Sequence, residues 1–371
     1  MGVWGNMIIK MKEVYFMKYD LENINARFVI GSQKWQEMKN NPLVDEKVIP
    51  FSVADMEFKL APEITEGLKT FIDDNILGYA GTNKKYRESV CKWQQKHHDF
   101  TVDEKWLVET HSVVNAFFTA VKAFTQKGDG VMLFTPVYYP MYKAIEINQR
   151  KLVEIPLINN GMTYDIDWDL FTKKAKAIDT KMLILCSPHN PCGRIWTREE
   201  LTKISEICLT NDILVVADEI HADLIMPGFK HVSYGTISKE ALEHSIICTA
   251  PSKTFNLAGM QLSNVFIANE NYRNLFKAEQ ATDADFACSI LSYEACRLAY
   301  EYGEEWLDDL DAIYIDPLRT PDVAKEFENI DYQTDKDGNP LSRLEDKDNH
   351  TIDATRYAFE EDMRGNTYSF N

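Results

Sequence analysis

The middle of the chain alternates short apolar segments with helix-like stretches, and this alternation restricts the fold more than any other feature. Five segments rich in β-formers end in polar or turn residues and lie at residues 130–136, 181–188, 212–219, 245–252 and 263–269. Successive apolar residues over this length are typical of strands that are covered on both faces. Residues 198–211, between two of these segments, have a helical period. The pattern therefore predicts an α/β fold with a mainly parallel sheet.

Polar side chains follow three successive predicted strands. Asn190 follows the second segment, Asp218 ends the third together with Glu219, and Lys253 follows the fourth. Each has an ordinary structural alternative, since Asn-Pro-x-Gly is a common turn, a carboxylate can cap a helix and a lone lysine is usually solvated. Ligands of such sheets bind beyond the carboxyl ends of the strands. We therefore expect the three side chains to converge on one ligand.

These three residue types match the chemical demands of pyridoxal phosphate. A lysine amine forms a Schiff base with the cofactor aldehyde, and a carboxylate pairs with the pyridinium nitrogen so that the ring accepts electrons. An amide such as that of Asn190 can donate near the ring hydroxyl. The sequence therefore predicts a pyridoxal phosphate site built from Lys253, Asp218 and Asn190.

The same segments resemble a known family. SPHNPCGR (187–194), VVADEIHADL (215–224) and APSKTFNLAG (250–259) resemble motifs of the fold-type I aminotransferase superfamily, and within it the MalY/PatB subgroup of cystathionine β-lyase-type C–S lyases. The resemblance covers about residues 17–310. It implies the seven-stranded, mainly parallel sheet of the pyridoxal phosphate transferase large domain.

The resemblance also implies residues that hold the cofactor phosphate. Backbone N–H groups of Val113 and Val114 would bind it at a helix start, an anion site that the helix dipole favours, and Ser252 would add a hydroxyl. This chain has Ser112 where the family usually has glycine. Tyr79, in GYAG, would reach the phosphate of a neighbouring subunit and so implies a homodimer; a buried aromatic beside a glycine turn is the alternative.

Further positions follow from the same resemblance. Tyr138 would stack on the cofactor ring, with Tyr139 as a competing candidate and core packing as the alternative for both. Asp55, in PFSVADMEF (50–58), would lie near the loop through which substrate enters. Many aminotransferases of the superfamily have arginine where this chain has Gln261, and the difference favours the lyase subgroup.

The implied reaction is β-elimination from cystathionine and related cysteine S-conjugates, with release of thiol, pyruvate and ammonia. Lys253 would act as general base at Cα and Asp218 would keep the ring nitrogen protonated. An aminotransferase, or a catalytically inactive remnant that binds pyridoxal phosphate, are the alternatives. Structural roles are expected for the histidines that could act as further acids, His97, His98, His189 and His221.

Charge and composition exclude several classes. A net charge of −18 repels nucleic acid and anionic membranes, so no such partner is expected. Seven cysteines without CxxC spacing indicate a reducing compartment and no metal site. No secretory signal is apparent at the start, where Met17 is a second possible start, and no apolar run is long enough to span a membrane. We therefore expect a cytoplasmic protein.

The carboxyl end departs from the family. The expected organisation is a leader and arm (1–50), a cofactor-binding large domain (51–285), a connecting helix (286–310) and a foreign-looking tail (311–371). The tail has 15 acidic and 7 basic residues, a net charge of −8 out of −18. The family's small domain, with the arginine that binds the substrate carboxylate, therefore looks missing or replaced, which implies an impaired lyase.

Part of the tail, residues 327–359, resembles the end of a phage terminase large-subunit nuclease domain. Asp353 would there be one of several metal-binding carboxylates. One carboxylate does not hold a two-metal site, so terminase activity is not predicted. Residues 335–340, DKDGNP, are typical of a hairpin turn.

Overall fold

A seven-stranded sheet organises the protein. The structure, a computed structural model, describes residues 18–21, 27, 30–39, 53–160, 163–225, 228–284 and 287–310, and the backbone of 332–334 and 340–344. The strands of the large sheet, in the order β1-β9-β8-β7-β6-β2-β3, are β1 (Leu107–Thr110), β2 (Gly130–Thr135), β3 (Lys151–Pro156), β6 (Thr180–Cys186), β7 (Leu214–Asp218), β8 (Ser245–Thr249) and β9 (Ser263–Phe266). A short separate pair joins β4 (Ile158–Asn159) to β5 (Tyr164–Asp165).

Five neighbouring strands, β3, β2, β6, β7 and β8, run parallel. Strand β9 is antiparallel to both of its neighbours, β8 and β1. The predicted α/β class and mainly parallel sheet are therefore confirmed, and all five predicted segments contain a strand. Strands β1 and β3 were not predicted.

Helices cover both faces of the sheet. They are α1 (Gln33–Lys39), α2 (Pro62–Asp74), α3 (Lys84–His98), α4 (Val113–Phe124), α5 (Tyr139–Ile147), α6 (Trp168–Ala175), α7 (Arg198–Thr210), α8 (Lys239–Glu243), α9 (Pro251–Thr254), α10 (Glu270–Thr282), α11 (Ile290–Tyr302) and α12 (Glu304–Leu310). Three short 3₁₀ turns lie at Glu104–Trp106, Tyr234–Thr236 and Ala258–Met260.

Two apolar cores result, because successive side chains of a strand point to opposite faces. On β6, Leu183 and Leu185 enter one core, whereas Met182 and Ile184 enter the other. Each fully buried side chain of this kind contributes roughly 1.5–3 kcal/mol to the free energy of unfolding. Packing in the two cores holds neighbouring strands in place, and with them the positions of the strand ends.

Helix α7, predicted over 198–211, begins at a capping box. Thr197 Oγ1 accepts a hydrogen bond from Glu200 N at 3.2 Å, and Glu200 Oε2 accepts one from Thr197 N at 2.8 Å. These bonds satisfy two donors that the helix leaves open. The helix ends at Thr210, one residue before the predicted end.

Two predicted elements are divided in the structure. The segment 245–252 ends as a strand at Thr249, and Pro251 begins the helical turn α9, where its missing N–H and fixed φ suit the first position. The helical pattern over 288–310 is divided at Gly303 into α11 and α12. A Cβ at Gly303 would lie 2.6 Å from both Ala299 O and the ring of Phe255, so only glycine fits.

The tail contributes an antiparallel pair of strands, β10 (Tyr332–Thr334) and β11 (Pro340–Leu344). These strands flank the predicted hairpin turn and do pair. The turn residues between them, Asp353 and residues 1–17 lie outside the described residues. Among the residues that the structure describes, no helix is both long and apolar enough to cross a membrane, and no group of three or more His, Cys, Asp or Glu side chains is arranged to hold a metal.

Candidate active site

Three adjacent strands bring the predicted residues to one edge of the sheet. Cys186, Asp218 and Cys248 are in register across β6, β7 and β8. Asn190 comes four residues after the end of β6, and Lys253 four residues after the end of β8. Because the three strands are parallel, their carboxyl ends lie together, as the sequence predicts.

Asp218 is a buried carboxylate, with 4% of its surface exposed. Among the described residues, its carboxylate accepts one hydrogen bond, which Ile220 N donates to Oδ1 at 3.2 Å. Burial raises the pKa of Asp218 to about 7, and the charge of Glu219 adds to the rise, while Ile220 and Lys253 oppose it. The site therefore favours a cationic partner for this side chain.

Lys253 lies in the short helix α9, where its Nζ donates to Ala54 O at 2.8 Å. Burial lowers its pKa and the charge of Lys34 lowers it further, although Asp55 and Asp218 raise it. The net direction is downward, so the amine loses its proton more readily than an ordinary lysine. A neutral amine is the form that attacks an aldehyde.

The segment that holds Ala54 is itself clamped by Asn256. Asn256 Oδ1 accepts from Met56 N at 3.0 Å, and its Nδ2 donates to Met56 O at 2.9 Å and to Phe58 O at 3.1 Å. Asn256 has a φ of +55°, a left-handed conformation that asparagine tolerates. The turn after β8 is therefore hydrogen-bonded to two residues, Met56 and Phe58, of the segment 50–58 that is predicted to lie near the substrate entrance.

Two carboxylates of this segment belong to a cluster of four charged side chains. Arg27 donates to both carboxylate oxygens of Asp55, each at 2.9 Å, and pairs with Glu57 at 3.0 Å. Lys34, 3% exposed, pairs with Asp55 at 2.8 Å and with Glu57. Burial raises the pKa of each carboxyl, but the two cations outweigh it, so both pKa values are lowered. Sequence reasoning found Asp55 and missed its two partners, Arg27 and Lys34, which carry no local motif.

The predicted phosphate site lies at the same edge of the sheet. Strand β1 runs in the direction of β8, so its end leads to the start of α4 beside the other strand ends. Val113 and Val114 occupy the first turn of α4, where N–H groups have no intrahelical acceptor. Ser112 caps the helix by accepting from Asn115 N at 3.1 Å. Its φ of −163° is open to any residue, so the glycine usual in the family is not required. Ser252 is half-buried in α9.

The tyrosines differ in burial. Tyr138 is half-buried, and burial raises its pKa to about 12, with smaller contributions from Tyr139 and Asp218. Tyr139 is 68% exposed, whereas Tyr138 lies close enough to Asp218 for that charge to act on it. Tyr79 has a relative exposure of 113%, which contradicts the alternative of a buried aromatic.

Asn190 belongs to a closed turn as well as to the strand-end set. His189 N donates to Arg194 O at 2.8 Å across the turn, and Gly193 has a φ of +63°, which favours glycine. His189 Nε2 lies 2.8 Å from Pro136 O, and burial lowers the pKa of His189 to about 4. His189 therefore ties two loops, as its expected structural role requires.

His221 is the histidine whose pKa is affected by the charge of Lys253. Burial lowers its pKa to about 4, and the charge of Lys253 lowers it further. His221 is therefore neutral and close enough to Lys253 to sense its charge. The motif VVADEIHADL contains it, but residue type alone did not distinguish it from a helix-surface histidine.

A parallel sheet with Asn, Asp and Lys beyond adjoining strands and a helix start at the same edge defines an α/β enzyme of the aminotransferase type. The chain belongs to the aminotransferase class I and II family, whose model matches residues 46–287. It is 38% identical over 262 residues to cystathionine β-lyase PatB of Bacillus subtilis, covering 71% of this chain and 68% of that protein. Among solved structures, cystalysin from Treponema denticola is similar with a TM-score of 0.78 and 42% identity, covering 80% of this chain and 75% of that one.

A separate match concerns another family. The chain is 80% identical over 64 residues to the terminase large subunit of Bacillus phage SPP1, which is 17% of this chain and 15% of that protein. The terminase-like resemblance of the tail is thereby confirmed. The chain therefore combines sequence from two families.

Proposed function

We propose that this chain is a pyridoxal phosphate-dependent C–S lyase that acts on cysteine S-conjugates such as cystathionine. The observation that carries the proposal is the placement of Asp218 and Lys253 beyond neighbouring parallel strands. The identity to PatB supports it, as do cystalysin, whose structure contains pyridoxal 5′-phosphate, and a pyridoxal phosphate-bound C–S lyase from Staphylococcus hominis.

The residues at the strand ends fit this cofactor. Asp218 and Asp223 are both buried and lie on one connection, yet the pKa of Asp218 is raised and that of Asp223 is lowered. Asp223 receives hydrogen bonds from Trp93 and Thr254 and lies 2.7 Å from a ring nitrogen of His98. Asp218 has no such set among the described residues, and a pyridinium N–H would supply its missing partner.

Further groups of the same subunit would contact the cofactor. The amides of Val113 and Val114 and the hydroxyl of Ser252 would bind the phosphate. Tyr138 would orient the ring from one face, and Asn190 would donate to its hydroxyl. When bound, pyridoxal phosphate supplies an aldehyde for the substrate amine and a ring that accepts electron density from Cα.

Lys253 and Asp218 carry the proton chemistry. Lys253 Nζ would accept the Cα proton of the substrate, a role that its lowered pKa supports. The carboxylate of Asp218 would hold the proton on the ring nitrogen. Overall, the Cα–H and Cβ–S bonds break, the sulfur leaves as a thiol, and water hydrolyses the released 2-aminoacrylate to pyruvate and ammonia.

A second subunit would complete the site. Tyr79 is fully exposed, and Ile76 and Leu77 beside it are 92% and 50% exposed. Exposed apolar side chains in one segment are typical of an interaction surface. We propose a homodimer in which Tyr79 binds the cofactor phosphate of the other subunit.

The terminase-like tail affects the catalytic efficiency that we expect. No arginine of the family's small domain is recognisable after residue 310, and the tail's four arginines, Arg319, Arg343, Arg356 and Arg364, stand in unrelated contexts. A charge-assisted hydrogen bond to a substrate carboxylate contributes roughly 1.5–3 kcal/mol. We therefore propose that this chain binds the cofactor and turns over substrate weakly.

The test has two stages. Borohydride reduction in the presence of pyridoxal phosphate, followed by peptide mapping, should place a pyridoxyl group on Lys253, and Lys253→Arg should lose it. Pyruvate is then assayed with cystathionine and no 2-oxo acid. Labelling of another lysine refutes the site. Product formation only when a 2-oxo acid is added indicates an aminotransferase, and an adduct without turnover indicates an inactive remnant.

A further inference from the structure

A second buried aspartate, Asp223, lies five residues beyond Asp218 on the same connection. Its Oδ2 accepts from Thr254 Oγ1 at 2.6 Å, and its Oδ1 accepts from Trp93 Nε1 at 3.0 Å. His98 Nε2 lies 2.7 Å from the same Oδ1. Both carboxylate oxygens are therefore engaged by side chains from other elements.

The three donors come from two elements that flank the site. Thr254, fully buried, directly follows Lys253 in α9, whereas Trp93 and His98 lie on α3. Asp223 therefore ties the connection that begins at Asp218 to the turn that carries Lys253, and α3 holds both. Asp223 therefore links the two residues proposed for the chemistry, in addition to the pairing of β7 with β8.

Asp223 is held ionised. Burial opposes its charge, but hydrogen bonds from His98, Thr254 and Trp93 outweigh burial and lower its pKa. An ionised carboxylate only accepts, so the hydrogen between Asp223 and His98 belongs to Nε2. His98 Nδ1 is buried without a hydrogen-bond partner among the described residues.

Further contacts connect His98 to the end of the strand that carries Asp218. The rings of His98 and His231 meet edge to face with centroids 5.5 Å apart, and His231 Nε2 lies 3.3 Å from Glu219 Oε2. Glu219 Oε1 accepts from Tyr234 N at 2.7 Å. Glu219 directly follows Asp218, so these contacts, one of which is only ring packing, lead from His98 to the residue beside Asp218.

We propose that Asp223 is the positioning residue for Lys253: through the Thr254 hydroxyl it fixes the α9 turn so that the lysine amine reaches the cofactor aldehyde. Three residues separate the end of β8 from Lys253, and α9 is a single turn. A turn of this length is poorly determined by its own backbone bonds. The Asp223–Thr254 bond supplies a fixed point beside the reacting nitrogen, and misplacement by about 1 Å can cost about 100-fold in rate. This inference rests on the proposed function.

The test uses the full chain and a matched pair of substitutions. Thr254→Val keeps the shape and removes the hydroxyl, whereas Thr254→Ser keeps the hydroxyl. The rate at which added pyridoxal phosphate forms a borohydride-reducible adduct on Lys253 is measured together with the melting temperature. We expect Thr254→Val to slow the adduct about 10-fold to 100-fold, as loss of a charge-assisted hydrogen bond implies, and Thr254→Ser to remain within about threefold of the unsubstituted chain.

Two further variants keep the result decisive. Phe171→Leu, in the core at α6, should lower the melting temperature without slowing adduct formation, which separates positioning from general stability. Asp223→Asn keeps the side-chain volume and should also slow adduct formation. It therefore tests the same hydrogen bond if Thr254→Val does not fold. Equal adduct rates in the unsubstituted, Thr254→Val and Asp223→Asn chains overturn the positioning role while leaving the proposed function intact. No Lys253 adduct in the unsubstituted chain overturns both.

Discussion

Replacing Asp218 should stabilise the cofactor-free protein, because its carboxylate is buried and forms no ion pair among the described residues. The pKa of Asp218 is raised from 3.8 to about 7. One pKa unit corresponds to about 1.4 kcal/mol, so ionising this group costs about 4 kcal/mol more in the folded chain than in the unfolded chain. Asp218→Asn removes that cost and keeps the volume.

The sign of the pH dependence follows from the same shift. Below the unfolded pKa, Asp218 is protonated in both states and has no effect on stability relative to a neutral side chain. As the pH rises towards about 7, the unfolded chain releases the proton first, so this group lowers the free energy of unfolding, and above the folded pKa the loss is constant. Asp218→Asn should therefore leave stability unchanged near pH 3 and raise it by roughly 2–4 kcal/mol near pH 8, since a buried amide also has a cost.

Urea unfolding of the cofactor-free chain at both pH values measures the effect. Asp55→Asn is the opposite-sign control, because Arg27 and Lys34 outweigh burial and lower the pKa of Asp55. The stability that Asp55 contributes is present above its unfolded pKa and lost as the pH falls through its folded pKa, so its replacement should destabilise near pH 8. Pyridoxal phosphate should reverse the order for Asp218, stabilising the unsubstituted chain more than Asp218→Asn. A destabilised Asp218→Asn chain at pH 8 without cofactor would refute the reasoning.

Three other outcomes are expected. Tyr79→Ala should weaken retention of pyridoxal phosphate while leaving the melting temperature of the cofactor-free chain unchanged, because the side chain is fully exposed; light scattering that shows a monomer with full cofactor occupancy would contradict the shared site. Thr197→Ala should lower the free energy of unfolding by about 1 kcal/mol through loss of the capping box, measured by urea unfolding, and Thr197→Ser should not. Replacement of residues 311–371 by the carboxyl-terminal domain of a complete lyase should raise kcat/KM for cystathionine about 10-fold or more, as a restored charge-assisted bond implies; equal efficiency would show that the tail does not impair the enzyme.

The central strands could be predicted because burial on both faces leaves a run of apolar residues, as in β6 and β7. Strand β3 lies at the sheet edge, where Lys151, Glu154 and Pro156 are exposed, so its pattern is broken. Strand β1 has four residues, too few for a pattern to stand out. The extent of the strand before Lys253 was overestimated, because a proline that begins a helical turn and a proline that ends a strand have the same local signature.

The site was predictable where one strand end carries one informative residue, as with Asp218 and Lys253. It was not predictable where the partner lies far along the chain. Lys253 contacts Ala54, 199 positions away, and Asp223 contacts Trp93, 130 positions away. No local spacing encodes such pairs, because the residues meet only in the folded chain.

The two aspartates of the connection after β7 show why residue type alone does not assign a role. Both are buried carboxylates, five positions apart, and either could pair with a cation. Three donors from the protein hold Asp223 in its ionised form, so its charge is already stabilised within the fold around Lys253. Burial raises the pKa of Asp218, and the one amide hydrogen bond that its carboxylate receives among the described residues does not outweigh burial, so the folded chain alone does not stabilise its charge. A bound cation at that point would recover the energy that ionisation costs, and this difference between neighbours is the physical argument that a pyridinium nitrogen belongs at Asp218.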